Sequence, residues 1–176
     1  TDDEIRDIAA RGAVAGLCPI TEANLGDGIF SGTAFRAAGG RFAVGSDSNV
    51  SISLRGELRQ YEYSQRLGLR ARNAIADPSA STGRTLFAGA LAGGAQALAN
   101  PAGIVAGNRA DLVALDCSAA PQLDDDTRLD GWIFGDDIRV DCVWAMGTKQ
   151  VEGGRHLRRD AVEARYRRAM LRLSVD

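Results

Sequence analysis

One short stretch of this chain combines a side chain capable of chemistry with the backbone setting that chemistry uses. Residues 41–49 have the sequence RFAVGSDSN, an apolar strand pattern followed by a polar turn. Asp47 is therefore expected just past the carboxyl end of a strand, where parallel α/β sheets and barrels place their functional side chains. A carboxylate at that position can bind a metal ion, act as a general base or cap the next helix.

A second polar segment precedes it in the chain. Residues 13–19 form a continuous apolar run, which is typical of a strand buried on both faces of a parallel sheet. Pro19 should end that strand because proline cannot donate to a β-ladder. Residues 20–30 then predict a loop with four polar side chains. These are Thr21, Glu22, Asn24 and Asp27.

A short helix predicted over residues 33–38 joins the two strands. A strand-loop-helix-strand unit makes its strands parallel neighbours with a right-handed crossover, so that their carboxyl ends open on one side. We therefore expect Glu22 and Asn24 to face the same site as Asp47. On the residues alone, Asp47 is more typical of an Asx turn or a helix N-cap than of a ligand, and Glu22 is equally compatible with a plain loop carboxylate.

The other segments predict helices around this unit and antiparallel strands after it. Apolar periodicity predicts helices over residues 1–11, 53–75 and 83–98. Short apolar runs between turns predict antiparallel strands over residues 110–116, 138–146 and 148–151, with an exposed acidic loop over 123–128. The glycines of the third helix indicate close packing against another backbone; they are Gly89, Gly93 and Gly94. A last helix, from residue 160, should bury one side formed by Val162, Tyr166, Ala169, Met170 and Leu173.

Composition excludes several classes of function. The chain has 176 residues with 21 basic and 23 acidic side chains, a formal net charge of -2, which gives no electrostatic case for nucleic acid or an anionic membrane. No apolar run is long enough to span a bilayer. The single histidine, His156, rules out a self-contained histidine-rich metal site. Three widely spaced cysteines (Cys18, Cys117 and Cys142) indicate reduced thiols and a cytoplasmic protein.

Three separated motifs, in order, resemble the amidohydrolase superfamily. The first combines residues 17–28 (LCPITEANLGDG) with residues 44–49 (VGSDSN). The second, residues 103–116 (GIVAGNRADLVALD), resembles the return of that superfamily's chain into its small β-sandwich domain. The third, residues 143–156, resembles the closing sandwich strands. Because the chain also opens on a helix cap at Thr1, we expect a segment of a longer polypeptide.

The resemblance implies an α/β fold, namely the C-terminal part of a (β/α)8 metal-dependent hydrolase barrel plus part of a small β-sandwich. Residues 1–100 would supply the last strands and helices of the barrel, residues 101–157 the sandwich portion and residues 158–176 a C-terminal helix. In that family one divalent metal, zinc-like, is held by an Asp after strand 8 and by three histidines, while a fourth histidine assists. Asp47 matches that Asp, and the histidines are absent from this chain.

Residues 21–28 (TEANLGDG) most resemble the branch of the superfamily that deiminates N-formimino-L-glutamate in histidine degradation. The resemblance implies hydrolysis to N-formyl-L-glutamate and ammonia. Asp47 would be both metal ligand and proton carrier. The neighbouring polar residues would orient Asp47 or line the substrate pocket; these are Glu22, Asn24, Ser46, Ser48 and Asn49.

Two alternatives stay open. One is another deaminase of the superfamily, of the guanine or adenosine type. The other is a non-catalytic structural or oligomerisation module, because the isolated chain lacks the histidines and is expected to be inactive and to bind zinc weakly. We expect a small-molecule substrate as the partner, with no nucleic acid and no membrane, and a homodimer for the full-length form.

Overall fold

The structure is a computed structural model that describes residues 1–48 and 50–174. It is a mixed α/β structure, with the following helices and strands in chain order: α1 (Asp2–Ala10), β1 (Val14–Leu17), α2 (Pro19–Leu25), α3 (Gly32–Ala37), β2 (Arg41–Val44), α4 (Leu54–Leu69), α5 (Thr82–Ala97), β3 (Leu112–Asp116), α6 (Arg128–Phe134), β4 (Arg139–Ala145), β5 (Thr148–Glu152), β6 (Arg155–His156) and α7 (Arg159–Leu173). No helix of the described residues is long and apolar enough to cross a membrane.

The first two strands form a parallel pair, as the sequence predicted. Val14 pairs with Arg41 at one end and Leu17 with Val44 at the other. A further hydrogen bond from the Gly45 N–H to the Leu17 carbonyl, 2.9 Å long, continues the pairing past the last strand residue. The segments that follow β1 and β2 therefore both start at the same end of the pair, where the strands have their carboxyl ends.

Helix α5 covers this pair at unusually short range because glycines face the strand. A Cβ built on Gly93 would lie 2.5 Å from the carbonyl carbon of Phe42, and one built on Gly89 would lie 2.6 Å from the Phe42 ring. Phe42 itself is buried and belongs to the main apolar core. The prediction of close packing is confirmed for these two glycines, whereas Gly94 has no atom within 4 Å of such a Cβ.

The later strands form a separate four-stranded antiparallel sheet in the order β3-β4-β5-β6. Helix α6 packs on the first part of the chain, since its buried Trp132 and Ile133 share one apolar core with Phe42 and with Leu58 of α4. Leu115 of β3 packs against the same core. Three of these four strands were predicted individually, β6 being the exception. Helix α6 was not predicted, because its first residues follow an acidic stretch that indicated an exposed loop.

Three predicted segments differ from the structure. Residues 20–30 were expected to be a loop, but Pro19 starts α2, since its fixed φ suits the first position of a helix. The helix predicted over residues 53–75 ends at Leu69, where Arg70 takes a left-handed conformation with φ 53°. The last helix does form, but the residues of its apolar side are exposed rather than buried.

Candidate functional site

Asp47 lies three positions beyond the end of β2, as predicted, and its side chain is exposed. Its backbone has a φ of 40°, in the left-handed region that a non-glycine residue rarely adopts. Such a conformation costs on the order of 1 kcal/mol and persists only where surrounding contacts fix it. Aspartate tolerates this region better than most residues, and contacts with neighbouring residues also hold the turn.

Those contacts come from Thr21 of α2, which is 4% exposed. Its hydroxyl lies 2.9 Å from the Ser48 hydroxyl and 3.4 Å from the Ser46 carbonyl oxygen, to which it can donate. It also accepts from the Ser48 N–H at 3.4 Å. One buried hydroxyl thus contacts the residue before Asp47 and the residue after it, and α2 is joined directly to the Asp47 turn.

The first turn of α2 is held in turn by two carboxylates. Glu22, which is partly buried, accepts from the Cys18 N–H at 2.7 Å and so caps its own helix. Glu57 of α4 accepts from the Ile20 N–H at 2.9 Å. Both bonds satisfy amides that a helix N-terminus leaves without intrahelical partners, and both place negative charge at the favourable end of the helix dipole.

Cys18 directly follows β1, and the carboxylates of Asp47, Glu22 and Glu57 lie near it. Burial raises the pKa of its thiol, and the nearby charges of Asp47, Glu22 and Glu57 raise it further. A cysteine nucleophile needs the opposite setting, in which positive charge favours the thiolate. The setting of Cys18 thus disfavours the thiolate that a nucleophile needs.

The structure shows direct contacts for some of the predicted site residues and only the exposure of others. Ser46 and Ser48 contact Thr21 beside Asp47, whereas Asn24 lies near the exposed end of α2. Glu22 uses its carboxylate on the helix cap. Asn49 lies outside the described residues.

Sequence reasoning missed the roles of Thr21 and Glu57. One signal for Glu57 was available: it stands three residues after Leu54 and four before Tyr61, on the apolar face of the predicted helix. A carboxylate on a buried face needs a polar partner, which the structure identifies as the Ile20 N–H. Thr21 carried no such signal.

Asp47 is suited to supply one ligand of a metal centre. Asp47 offers an exposed carboxylate at a strand end, and oxygen ligands of this kind bind divalent ions including zinc. Among residues 1–48 and 50–174, however, no three His, Cys, Asp or Glu side chains are grouped so that they could hold a metal ion. Within the described residues, Asp47 is therefore a single candidate ligand and not a complete site.

Comparison with known proteins identifies relatives of this chain. No family model matches the chain. The chain is 49% identical, over 97% of its length, to formimidoylglutamate deiminase of Pseudomonas aeruginosa, and it spans 38% of the length of that enzyme. Whatever the whole enzyme does, this chain corresponds to well under half of it.

Solved structures give the same result. An amidohydrolase from Brucella melitensis superposes with a TM-score of 0.95 at 53% identity, covering 98% of this chain and 39% of the other. An adenosine deaminase from Xanthomonas campestris, solved with bound zinc, superposes with a TM-score of 0.82 at 24% identity, covering 100% of this chain and 41% of the other. The chain belongs to the amidohydrolase superfamily and is most similar in sequence, among these relatives, to formimidoylglutamate deiminase and the Brucella amidohydrolase.

Proposed function

We propose that this chain is the C-terminal part of a metal-dependent deiminase that hydrolyses N-formimino-L-glutamate to N-formyl-L-glutamate and ammonia. The observation that carries the proposal is the 49% identity to formimidoylglutamate deiminase along 97% of the chain. Asp47 also supports the proposal. Its exposed carboxylate follows the carboxyl end of one of two parallel strands, and such folds place their functional side chains at those strand ends.

The proposal assigns the parallel pair and its helices to the end of a (β/α)8 barrel. A two-stranded parallel pair has two unpaired edges and is rarely stable alone, so further strands on both sides would complete it. In this assignment residues 1–100 belong to the barrel, residues 101–157 to a β-sandwich and residues 158–176 to the C-terminal helix.

Asp47 would hold one divalent ion together with histidines from the rest of the polypeptide. Such an ion, zinc by analogy with the adenosine deaminase, supplies Lewis-acid activation of water near neutral pH. Asp47 accepts the proton of the attacking water and passes it to the departing nitrogen. Water adds its oxygen to the formimino carbon, the carbon–nitrogen bond breaks, and ammonia leaves, so that atoms and charge balance.

The residues around Asp47 take supporting roles in this proposal. Ser46 and Ser48, which both contact Thr21, hold the turn in which the backbone of Asp47 is left-handed. Glu22 holds the start of α2, and Asn24, which is exposed, lines the substrate pocket. Asn49 is proposed to orient Asp47.

Ammonia release from N-formimino-L-glutamate by the full-length polypeptide tests the proposal. The parent should release ammonia, and Asp47→Asn, which keeps the shape but removes the base, should lose at least about a hundredfold in kcat, the usual size of a general-base contribution. Asp137→Asn is the matched control, because Asp137 is an exposed carboxylate in the turn before β4 and should leave the rate unchanged.

The alternatives predict different results. Release of ammonia from adenosine or guanine, but not from the formimino substrate, would replace the substrate while keeping the role of Asp47. Equal and measurable rates for the parent and Asp47→Asn would reject a catalytic Asp47. No release from any of these substrates by the folded parent would favour a non-catalytic module.

A further inference from the structure

The carboxylate of Glu57 is buried where α4 meets α2. Glu57 is 2% exposed, and its Oε2 accepts from the Ile20 N–H across 37 positions of sequence. Its other oxygen, Oε1, is also buried and has no hydrogen-bond partner among the described residues. Burying a half-satisfied carboxylate is unfavourable, so an apolar residue would serve packing at this position better.

A continuous series of contacts leads from Glu57 to Asp47. The amide that Glu57 holds belongs to Ile20, the residue before Thr21. The Thr21 hydroxyl then contacts Ser46 and Ser48 on either side of Asp47. This series of contacts therefore couples the first turn of α2 to the backbone on both sides of Asp47, which itself has a φ of 40°.

We infer that Glu57 is a positioning residue for Asp47, acting through the first turn of α2 and the Thr21 hydroxyl. The consequence for the reaction rests on the proposed function of Asp47. The coupling of Glu57 to the Asp47 turn does not rest on that function, since it can be measured without any substrate.

The same helix supplies a matched control. Glu62 of α4 is also a buried carboxylate, 0% exposed, and it also accepts backbone N–H groups, from Ala74 at 2.8 Å and Ile75 at 2.9 Å. It pairs with Arg66 as well, at 2.7 Å. These contacts hold the segment after α4 and include no residue of the Asp47 turn. Replacing Glu62 thus removes a buried carboxylate of equal kind without touching the proposed contacts.

The experiment compares Glu57→Ala, Glu57→Gln and Glu62→Ala in the full-length polypeptide. Hydrogen exchange at the Ser48 amide should accelerate in Glu57→Ala and stay unchanged in Glu62→Ala. The kcat for ammonia release should fall about tenfold to a hundredfold in Glu57→Ala, with a smaller change in KM, because a small displacement of a catalytic group costs that much. Glu57→Gln should restore most of the rate, since its amide oxygen can accept from the Ile20 N–H.

Two results would overturn the inference. One is unchanged exchange at Ser48 in Glu57→Ala; the other is an equal loss of kcat in Glu57→Ala and Glu62→Ala. A parent that releases no ammonia rejects the proposed function, while the exchange data still decide the inference. If Glu57→Ala does not fold, Thr21→Val interrupts the same contacts, and the same acceleration at Ser48 is expected.

Discussion

Replacing Gly93 by alanine should force α5 away from β2. The added Cβ would lie 2.5 Å from the carbonyl carbon of Phe42 and closer still to its oxygen. Backbone atoms of a paired strand cannot rotate aside as the end of a side chain can, so the helix must shift. Overpacking a core costs about 1–3 kcal/mol, and we expect Gly93→Ala to reach about 3 kcal/mol, because the obstacle is backbone.

The next residue provides the control. A Cβ on Gly94 meets no atom within 4 Å, so Gly94→Ala should stabilise the protein by about 0.8 kcal/mol through helix propensity alone. Gly89→Ala should fall between the two, because its Cβ meets the Phe42 ring, whose end can move by a small amount.

Urea unfolding followed by circular dichroism would measure these changes. With a slope of about 2 kcal/mol per M, Gly93→Ala should lower the midpoint by about 1.5 M and Gly94→Ala should raise it by about 0.4 M. A Gly93→Ala midpoint within about 0.25 M of the parent, which is about 0.5 kcal/mol, would refute the claim that α5 contacts the backbone of β2.

Three further outcomes concern the site. Thr21→Val and Thr85→Val each remove a buried hydroxyl and should each cost about 1 kcal/mol in urea unfolding, but only Thr21→Val should lower kcat. Because burial and the charge of Asp47 raise the pKa of Cys18, its alkylation by iodoacetamide at neutral pH should be slower than that of free cysteine and should accelerate in Asp47→Asn, as peptide mass spectrometry would show. Burial also raises the pKa of Glu57 above its ordinary value of 4.5. The free energy of unfolding of the parent, relative to that of Glu57→Gln, should therefore be highest below pH 4.5 and should fall as the pH rises through the raised pKa. Urea midpoints measured across this pH range would show the change.

Local patterns were sufficient for most elements of the fold. Continuous apolarity identified both parallel strands, and a connecting helix between them implied their parallel register, which the pairing of Val14 with Arg41 confirms. Helix α5 was predicted to within one residue at each end. These features depend on residues close together in sequence, which is why composition and periodicity reveal them.

Segments that depend on distant partners were harder to predict. Pro19 can end a strand or start a helix, and only the capping bonds from Glu22 and from Glu57 decide for the helix. The apolar side of α7 was identified correctly as a pattern, but Tyr166 remains 63% exposed, because periodicity shows which side favours burial and not whether anything packs against it.

The same distinction separates Asp47 from the residues that hold it. Its place past a strand end follows from its own strand, so the sequence was enough to propose it. The turn that holds it contacts Thr21, which precedes Ser48 by 27 positions, and the helix that carries Thr21 contacts Glu57, 37 positions beyond Ile20. A charged residue on an apolar helix face is a local sign of such a dependence; Glu57 carries that sign, but the Ile20 N–H that it contacts became apparent only in the structure.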